Sequence, residues 1–187
     1  MNRKEKYFVY TGNAYPHKNL ERLVQAFVLL NKDRKEKIVL KISSSRNIFV
    51  ERLNKLIQKY NAEDYVKLMG FVKDEEIVDL YKNSIAFVFP TLSEGFGLPP
   101  MEAINAGTFA IMSDIPVLKE VYQDTVDYFD PLDVHSIKEV LLKTLSLSND
   151  IRDKKIKTVQ KFLKRYSWNK MARETLAVYE SLVGDTR

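Results

Sequence analysis

Hydrophobic and polar residues follow two alternating patterns along the chain. Short runs rich in apolar residues predict strands over 6–12, 37–43, 65–70, 84–90, 108–113 and 125–129. Several of these runs have the continuous apolar character that is typical of β-strands covered on both faces. Between them lie longer segments whose apolar residues recur at helical spacing. Helices are predicted over 48–61 and over 19–31, where one stripe contains Leu20, Leu23, Val24, Phe27 and Leu30.

The order of these elements predicts the fold class. Strands that alternate with helices of about ten or more residues imply right-handed crossover connections and a parallel sheet. We therefore expect an α/β fold, a Rossmann-like doubly wound and mostly parallel sheet with helices on both faces. Because the alternation shows no low-complexity linker and no repeat of about 20–50 residues, we expect one domain over 1–187.

Composition supports this organisation and narrows the classes of partner. A chain of 187 residues with 45% hydrophobic and 29% charged side chains can bury a sizeable core. The net charge of +5 is mild for a nucleic-acid-binding protein, so no nucleic-acid partner is expected. The positive charge is concentrated in 152–173, with nine basic residues and one acidic residue. This run is typical of a solvated helix face, and contact with anionic lipid head groups is the alternative.

Cysteine and histidine usage argue against several kinds of site. The chain has no cysteine, which excludes disulfides and thiolate metal sites and suits a reducing cytoplasm. His17 and His135 lack the partner spacing of a metal site or a catalytic triad, so both are interpreted as surface residues. No apolar run reaches the roughly 20 residues of a membrane-spanning helix, and no signal peptide is evident. We expect a cytoplasmic protein without a metal.

Three loops that follow predicted strands carry unusual residues, namely 11–19, 43–47 and 90–100. Open α/β sheets bind ligands at the carboxyl ends of their strands, so these loops form the expected binding crevice. In the third loop, Gly95 and Gly97 let the backbone approach a ligand, and the amides of 95–98 can form an anion-binding nest. A helix is predicted from about Pro99, since the fixed φ of proline suits a first helical turn.

Two carboxylates, Glu94 and Glu102, lie eight residues apart around this glycine loop. Ionised carboxylates repel a phosphate unless they face neutral hydroxyl donors. A sugar nucleotide fits this arrangement, because it has hydroxyls at both ends and a diphosphate between them. Each acid also has an ordinary structural interpretation. Glu102 could simply stabilise the first turn of a helix, and Glu94 could be a solvated loop residue.

The segment SEGFGLPPMEA (93–103) resembles the E-x7-E signature of the retaining GT-B glycosyltransferases of family 4. The segments YTGNAYPHKNL, VKLMGFVKDEEIVDLYKNS, SDIPVLKEV, YFDPLD and YSWNKMARETLAVYESL are similar to further blocks of that family in order and spacing. The resemblance covers nearly the whole chain, but only the C-terminal, donor-binding half of such an enzyme.

The resemblance also implies a role for individual residues. Glu94 would bind the hydroxyls of the transferred sugar, Glu102 the ribose and Lys18 the diphosphate. The backbone of Gly95, Phe96, Gly97 and Leu98 would contact the sugar and phosphate, and Gly70, Phe71 and Val72 would flank the base. The first loop contributes Gly12 and Asn13. Asn13 departs from the family pattern, because arginine is usual there beside the lysine.

The function implied by the resemblance is transfer of a hexose from a nucleotide-diphosphate sugar to a glycan or lipid-linked acceptor, with retention of anomeric configuration. The donor would be a substrate, and no metal or other cofactor would be required. The implied partner is an N-terminal acceptor-binding domain or chain, together with peripheral contact at the inner face of a membrane. The alternative is a non-catalytic module that binds a sugar nucleotide. A sugar-nucleotide epimerase is less favoured, since the sequence offers no additional acid and base for that reaction.

The last predicted helix, 167–183, has two interpretations. Trp168, Met171, Ala172 and Tyr179 recur at helical spacing, which predicts that Trp168 anchors this helix in the core. In enzymes of the resembling family the closing helix crosses the domain boundary. Without the other domain, its apolar face would be uncovered or would lie on this domain's own surface.

Overall fold

Six parallel strands form one sheet in the computed structural model, which describes residues 5–184. They are β1 (Tyr7–Thr11), β2 (Val39–Ser43), β3 (Val66–Gly70), β4 (Phe87–Phe89), β5 (Ala110–Ser113) and β6 (Asp127–Phe129). Their order across the sheet is β3-β2-β1-β4-β5-β6, and every pairing between neighbours is parallel. The predicted Rossmann-like α/β fold is confirmed. The domain expected over 1–187 extends beyond the described residues at both ends.

Eight helices connect or follow these strands within the described residues. They are α1 (Leu20–Asn31), α2 (Ile48–Lys59), α3 (Asp74–Lys82), α4 (Leu98–Asn105), α5 (Pro116–Tyr122), α6 (Val134–Ser146), α7 (Asn149–Leu163) and α8 (Trp168–Gly184). Short 3₁₀ turns occur at Pro16–Lys18 and Gln123–Thr125. Each predicted strand is present but shorter than predicted, and α4 begins one residue before Pro99.

Several helices start where the sequence supplies a capping side chain. Asn47 accepts hydrogen bonds from the backbone N–H groups of Phe49 and Val50 at the start of α2, which satisfies amides that have no partner within the helix. Asp133 caps α6 and Ser148 caps α7 in the same way. These caps fix where the helices begin after their preceding loops.

The core lies on both faces of the central strands. Strand β1 pairs with β2 from Tyr7↔Val39 to Thr11↔Ser43, and it pairs with β4 on its other side at Val9↔Phe87. All five residues of β1 and all three of β4 are buried, as the continuous apolar runs predicted. The loops after β1 and β4 therefore follow strands in the buried middle of the sheet.

The prediction that Trp168 is a core anchor is wrong. Trp168 is 69% exposed and Tyr179 is 63% exposed, and Ala172 is exposed as well. The helix is present, but seven of its large apolar side chains are more than half exposed. They are Trp168, Met171, Leu176, Val178, Tyr179, Leu182 and Val183. Helical spacing identifies an apolar face but does not reveal which surface covers it.

The basic run 152–173 extends over α7 and the start of α8, and it is only partly solvated. Lys155 forms an ion pair with Asp127, with its Nζ 3.0 Å from the Asp127 Oδ2. Arg165 lies over the ring of Phe162 at 3.8 Å and donates a hydrogen bond to the backbone carbonyl of Val121. The remaining lysines of α7, namely Lys154, Lys157 and Lys161, are exposed.

None of the helices between residues 5 and 184 combines the length and the apolar character needed to cross a membrane.

Candidate functional site

The strand order reverses between β1 and β4, which lie side by side although two other strands separate them in sequence. In doubly wound sheets, ligands bind at such a switch point, outside the carboxyl ends of the strands. The loops that follow β1 and β4 meet there. The Leu92 N–H donates to the His17 carbonyl at 2.7 Å, and the Thr91 hydroxyl donates to the same oxygen at 3.2 Å. These contacts join the first and third unusual loops.

Lys18 and Glu94 meet across this switch point. The Lys18 Nζ lies 2.5 Å from the Glu94 Oε1, and each side chain is 13% exposed. The ring of Phe89 lies below the ammonium, with its centroid at 5.7 Å. Because an ammonium group has three N–H donors, Lys18 can bind Glu94 and still donate to a second acceptor. The structure thus brings together the two residues predicted for the diphosphate and the transferred sugar.

The two glycines of the third loop have different roles in the fold. Gly97 has φ +88° before α4, and a Cβ there would lie 2.6 Å from the Leu118 Cδ2. The Gly97 carbonyl also accepts a hydrogen bond of 2.5 Å from the Tyr122 hydroxyl. By contrast, a Cβ at Gly95 would have no atom within 4 Å. The fold therefore requires glycine at 97, whereas the space beside Gly95 is open.

The first loop is shaped by Gly12 and by Tyr10 beneath it. Gly12 has φ +140°, and its N–H donates to the Ser43 carbonyl at 3.1 Å. The Tyr10 hydroxyl donates to the Asn13 carbonyl at 2.7 Å. Burial, and then the nearby charge of Glu94, raise the pKa of Tyr10, so the phenol stays protonated as a donor. Gly12 and Asn13 are exposed at the mouth of the crevice.

A cavity of about 330 Å³ adjoins these loops on the β2 and β3 side. It contains five of the predicted residues, namely Gly12, Asn13, Phe71, Val72 and Glu102, and its other walls are Thr11, Ser43, Ser44, Ser45, Ile77, Tyr81 and Pro99. Gly70 lies just behind it. The Gly70 carbonyl accepts hydrogen bonds from the Ser44 N–H at 3.0 Å and the Ser43 hydroxyl at 3.1 Å. These bonds hold the second loop against the segment predicted to flank a base.

The side chains of Phe96 and Leu98 point to a different place. They line a separate, apolar cavity of about 330 Å³ between α4 and the start of α8, together with Met101, Tyr166, Ser167, Trp168 and Met171. The rings of Phe96 and Tyr166 pack edge to face at 5.1 Å. Any contact of Phe96 or Leu98 with a ligand at the switch point would therefore be made by the backbone.

Two polar residues of the cavity are not among the predicted site residues. Thr11 and Tyr81 join their hydroxyls in a hydrogen bond of 2.7 Å. Burial raises the pKa of Tyr81, the bond from Thr11 opposes this shift, and the charge of Glu102 adds to it. Tyr81 comes from α3, which was not predicted. The available signal was the spacing of Ile77, Leu80 and Tyr81, which fits one helical face.

The chemistry of the crevice combines hydroxyl and ammonium donors with carboxylate acceptors. Lys18 and the loop amides suit an anion, whereas Glu94 and Glu102 suit neutral hydroxyls. Among residues 5–184, no group of three or more His, Cys, Asp or Glu side chains could hold a metal ion.

Comparison with known proteins gives consistent results. A family model described as glycosyl transferases group 1 matches residues 1–162. O-antigen chain mannosyltransferase B of Escherichia coli is 32% identical over 178 residues, which cover 94% of this chain and 46% of that protein. O-antigen chain mannosyltransferase RfbU of Salmonella typhimurium is 34% identical over 133 residues, 71% of this chain and 36% of that protein. The chain therefore spans half or less of the length of these curated relatives.

Solved structures share the fold at low sequence identity. Sucrose-phosphate synthase of Thermosynechococcus elongatus superimposes with a TM-score of 0.85 at 21% identity, over 97% of this chain and 46% of that one. The E. coli trehalose-6-phosphate structure bound with UDP-2-fluoro glucose has a TM-score of 0.82 at 12% identity, over 93% of this chain and 44% of that one. In both cases the match covers about half of the larger protein.

Proposed function

Because the chain belongs to the group 1 glycosyl transferases, we propose that residues 1–187 form the donor-binding domain of a retaining glycosyltransferase. The donor is a nucleotide-diphosphate sugar, and its hexose is transferred to a glycan or lipid-linked acceptor. The observation that carries this proposal is the Lys18–Glu94 pair at the switch point, beside the cavity that contains Glu102. At this edge of the sheet a cation, two carboxylates and open backbone supply the kinds of contact that a sugar nucleotide makes, which supports the proposal.

The proposed donor extends from the end of β3 to the switch point between β1 and β4. The base lies by Gly70, Phe71 and Val72 at the end of β3, where the ring of Phe71 is 72% exposed and free to pack on a base. The ribose hydroxyls bind Glu102. The diphosphate reaches Lys18 and the 95–98 backbone, and the hexose hydroxyls bind Glu94.

The proposed chemistry is electrostatic. Breaking the anomeric bond leaves negative charge on the departing nucleoside diphosphate, and preorganised donors stabilise that charge. Lys18 supplies an ammonium and the 95–98 segment supplies amides. Glu94 orients the sugar through its hydroxyls. The donor is consumed as a substrate, and we propose no metal or other cofactor.

The acceptor is proposed to bind on a second domain or chain. Helix α8 leaves apolar side chains uncovered within the described residues, including Trp168, Tyr179 and Leu182. Apolar patches of this kind mark surfaces that bind another protein. An acceptor-binding half placed against α8 would close the other side of the crevice. We further propose a cytoplasmic location, with peripheral contact between the exposed lysines of α7 and anionic lipid.

A non-catalytic role is the second candidate function. It is favoured by the large apolar side chains of α8 that are exposed in the described chain, because such a patch marks a surface for another protein. A donor-binding domain beside such a surface could act as the sugar-nucleotide-binding subunit of an assembly. Transfer of sugar by the chain together with an acceptor-binding half would favour the catalytic role, and binding without transfer in that assembly would favour the binding role.

Calorimetric titration tests the binding of a sugar nucleotide, which both candidate functions require. The chain is titrated with UDP, GDP and ADP, with their glucose or mannose conjugates, and with the matching nucleosides. At least one sugar nucleotide is expected to bind with one-to-one stoichiometry, and more tightly than the matching nucleoside, because only the former reaches Lys18 and Glu94. A folded chain that binds none of these compounds would contradict the proposal.

A further inference from the structure

Asn19 connects three loops at the carboxyl edge of the sheet. Its side chain is buried, with the residue 4% exposed, and its amide nitrogen donates to the Pro90 carbonyl at 2.9 Å and to the Pro131 carbonyl at 2.8 Å. Pro90 follows β4 and Pro131 follows β6, whereas Asn19 itself ends the loop after β1. One side chain therefore links segments that are 71 and 112 residues away in sequence.

The orientation of this amide is defined by its surroundings. The Arg22 guanidinium donates to the Asn19 Oδ1 at 3.0 Å, so the oxygen and the nitrogen each face a suitable partner. Both N–H groups and the oxygen of the Asn19 side-chain amide therefore have a hydrogen-bond partner. Asn19 precedes α1 as its N-cap, yet its side chain makes no capping hydrogen bond. An asparagine N-cap usually accepts a hydrogen bond from its own helix. The Asn19 amide instead donates to carbonyls in the neighbouring loops.

The backbone of Asn19 is also unusual. It lies in the left-handed region with φ 58°, which asparagine tolerates better than most residues. This conformation follows the 3₁₀ turn Pro16–Lys18 and directs the chain into α1. The residue immediately before it is Lys18, whose ammonium contacts Glu94.

We propose that Asn19 is a positioning residue, which holds Lys18 in register with Glu94 so that the ammonium and the carboxylate reach the diphosphate and the sugar of one donor. This inference rests on the proposed function. Lysine has a long, flexible side chain, so the location of its backbone decides where the ammonium can reach. Holding reacting groups in place before a ligand arrives is a large part of binding and catalysis, and a displacement of about 1 Å can cost on the order of 100-fold.

The test uses two buried asparagines at opposite ends of α1. Asn19→Gly removes the amide but accepts the left-handed backbone. Asn31→Ala is the matched control, because Asn31 is 1% exposed and bridges to the backbone of Ile38 through two hydrogen bonds, far from the switch point. Both variants are titrated with UDP-glucose, GDP-mannose and the matching nucleosides, and both are melted to compare stability.

We expect Asn19→Gly to weaken sugar-nucleotide binding roughly 10- to 100-fold while leaving nucleoside affinity nearly unchanged, since the nucleoside does not reach Lys18. Asn31→Ala should lower the melting temperature and leave both affinities unchanged. A purely structural role for Asn19 would instead reduce both affinities together, or neither. If Asn19→Gly does not fold, Asn19→Asp replaces it, because that variant keeps the shape and the Arg22 contact but lacks both donors.

A double-mutant cycle with Lys18→Ala completes the test. If Asn19 acts through Lys18, Asn19→Gly has little further effect once the ammonium is absent. Additive losses would overturn the positioning role, as would an unchanged affinity of Asn19→Gly when the unmodified chain binds. If the unmodified chain binds no sugar nucleotide, the proposed function itself fails and the positioning role fails with it.

Discussion

Gly95 and Gly97 look equivalent in the sequence, but the structure separates a glycine that the fold needs from one that it does not. The positive φ and the contact with Leu118 exist only at Gly97. Gly97→Ala is therefore expected to lower the free energy of unfolding by about 1–3 kcal/mol. Gly95→Ala should change it by no more than about 0.5 kcal/mol but should weaken sugar-nucleotide binding.

Denaturant unfolding and calorimetric titration of these two variants separate the effects. Equal destabilisation by Gly95→Ala and Gly97→Ala would contradict the structural distinction. An unchanged donor affinity in Gly95→Ala would remove Gly95 from the proposed site.

Glu102 gives the second prediction at this scale. Glu102→Gln preserves size but removes the charge that strengthens hydrogen bonds from ribose hydroxyls, each worth about 1.5–3 kcal/mol. Affinity for the nucleoside and for the sugar nucleotide should fall together, because both contain the ribose. Titration of both ligands measures this, with Glu120→Gln on the exposed face of α5 as the control. A loss confined to the sugar nucleotide would show that Glu102 does not bind the ribose.

At the level of elements, the sequence predicted strands better than helices. Strands β1, β4 and β5 are buried on both faces, so their apolar runs are nearly continuous. Helix α3 is short and rich in acidic residues, and the pattern that would have identified it is confined to a few positions. The site residues likewise include some that the sequence predicts and some that it does not. The loops after β1 and β4 could be predicted from their glycines and acids, whereas Asn19, Thr11 and Tyr81 act through partners distant in sequence.

Asp127 links β6 to the C-terminal helices and gives a prediction about elements. It accepts hydrogen bonds from Lys155 on α7 and Lys143 on α6. Burial opposes its ionisation, but these lysines prevail and hold the pKa of Asp127 below its ordinary value of 3.8. Because the folded pKa is depressed, the stabilisation is full above the unfolded pKa and is lost as the pH falls through the folded pKa.

Asp127→Asn should therefore lower the free energy of unfolding by about 1–3 kcal/mol at neutral pH, and the difference from the unmodified chain should shrink below about pH 4. Denaturant unfolding at several pH values measures it. Asp114→Asn is the control, since the Asp114–Lys119 pair is about half exposed and contributes little. A deficit that stays constant down to pH 2 would show that the ion pairs are not its source.

For the whole molecule, the exposed apolar face of α8 indicates a surface that another domain or chain covers. The isolated chain should bind a donor but transfer no sugar, because holding two reactants in register accounts for about 7–11 kcal/mol of barrier lowering. Release of nucleoside diphosphate is measured for the chain alone and for the chain joined to an acceptor-binding half. Equal turnover by both forms would show that residues 1–187 hold a complete active site.

The exposed apolar face also shows what sequence patterns cannot supply at this scale. The spacing of Trp168, Met171 and Tyr179 is that of a buried helix, and each of these residues is more than half exposed. Periodicity depends only on the chain itself, whereas burial depends on every surface packed against it.

The central claim is that a sugar nucleotide binds at the switch point between β1 and β4. A crystal structure of the chain with the tightest-binding sugar nucleotide tests this most directly. The account predicts the diphosphate within hydrogen-bonding distance of the Lys18 Nζ, the ribose at Glu102, the base beside Phe71 and the hexose at Glu94. A nucleotide bound elsewhere, for example in the apolar cavity beside Trp168, or bound with its base and hexose exchanged, would contradict it.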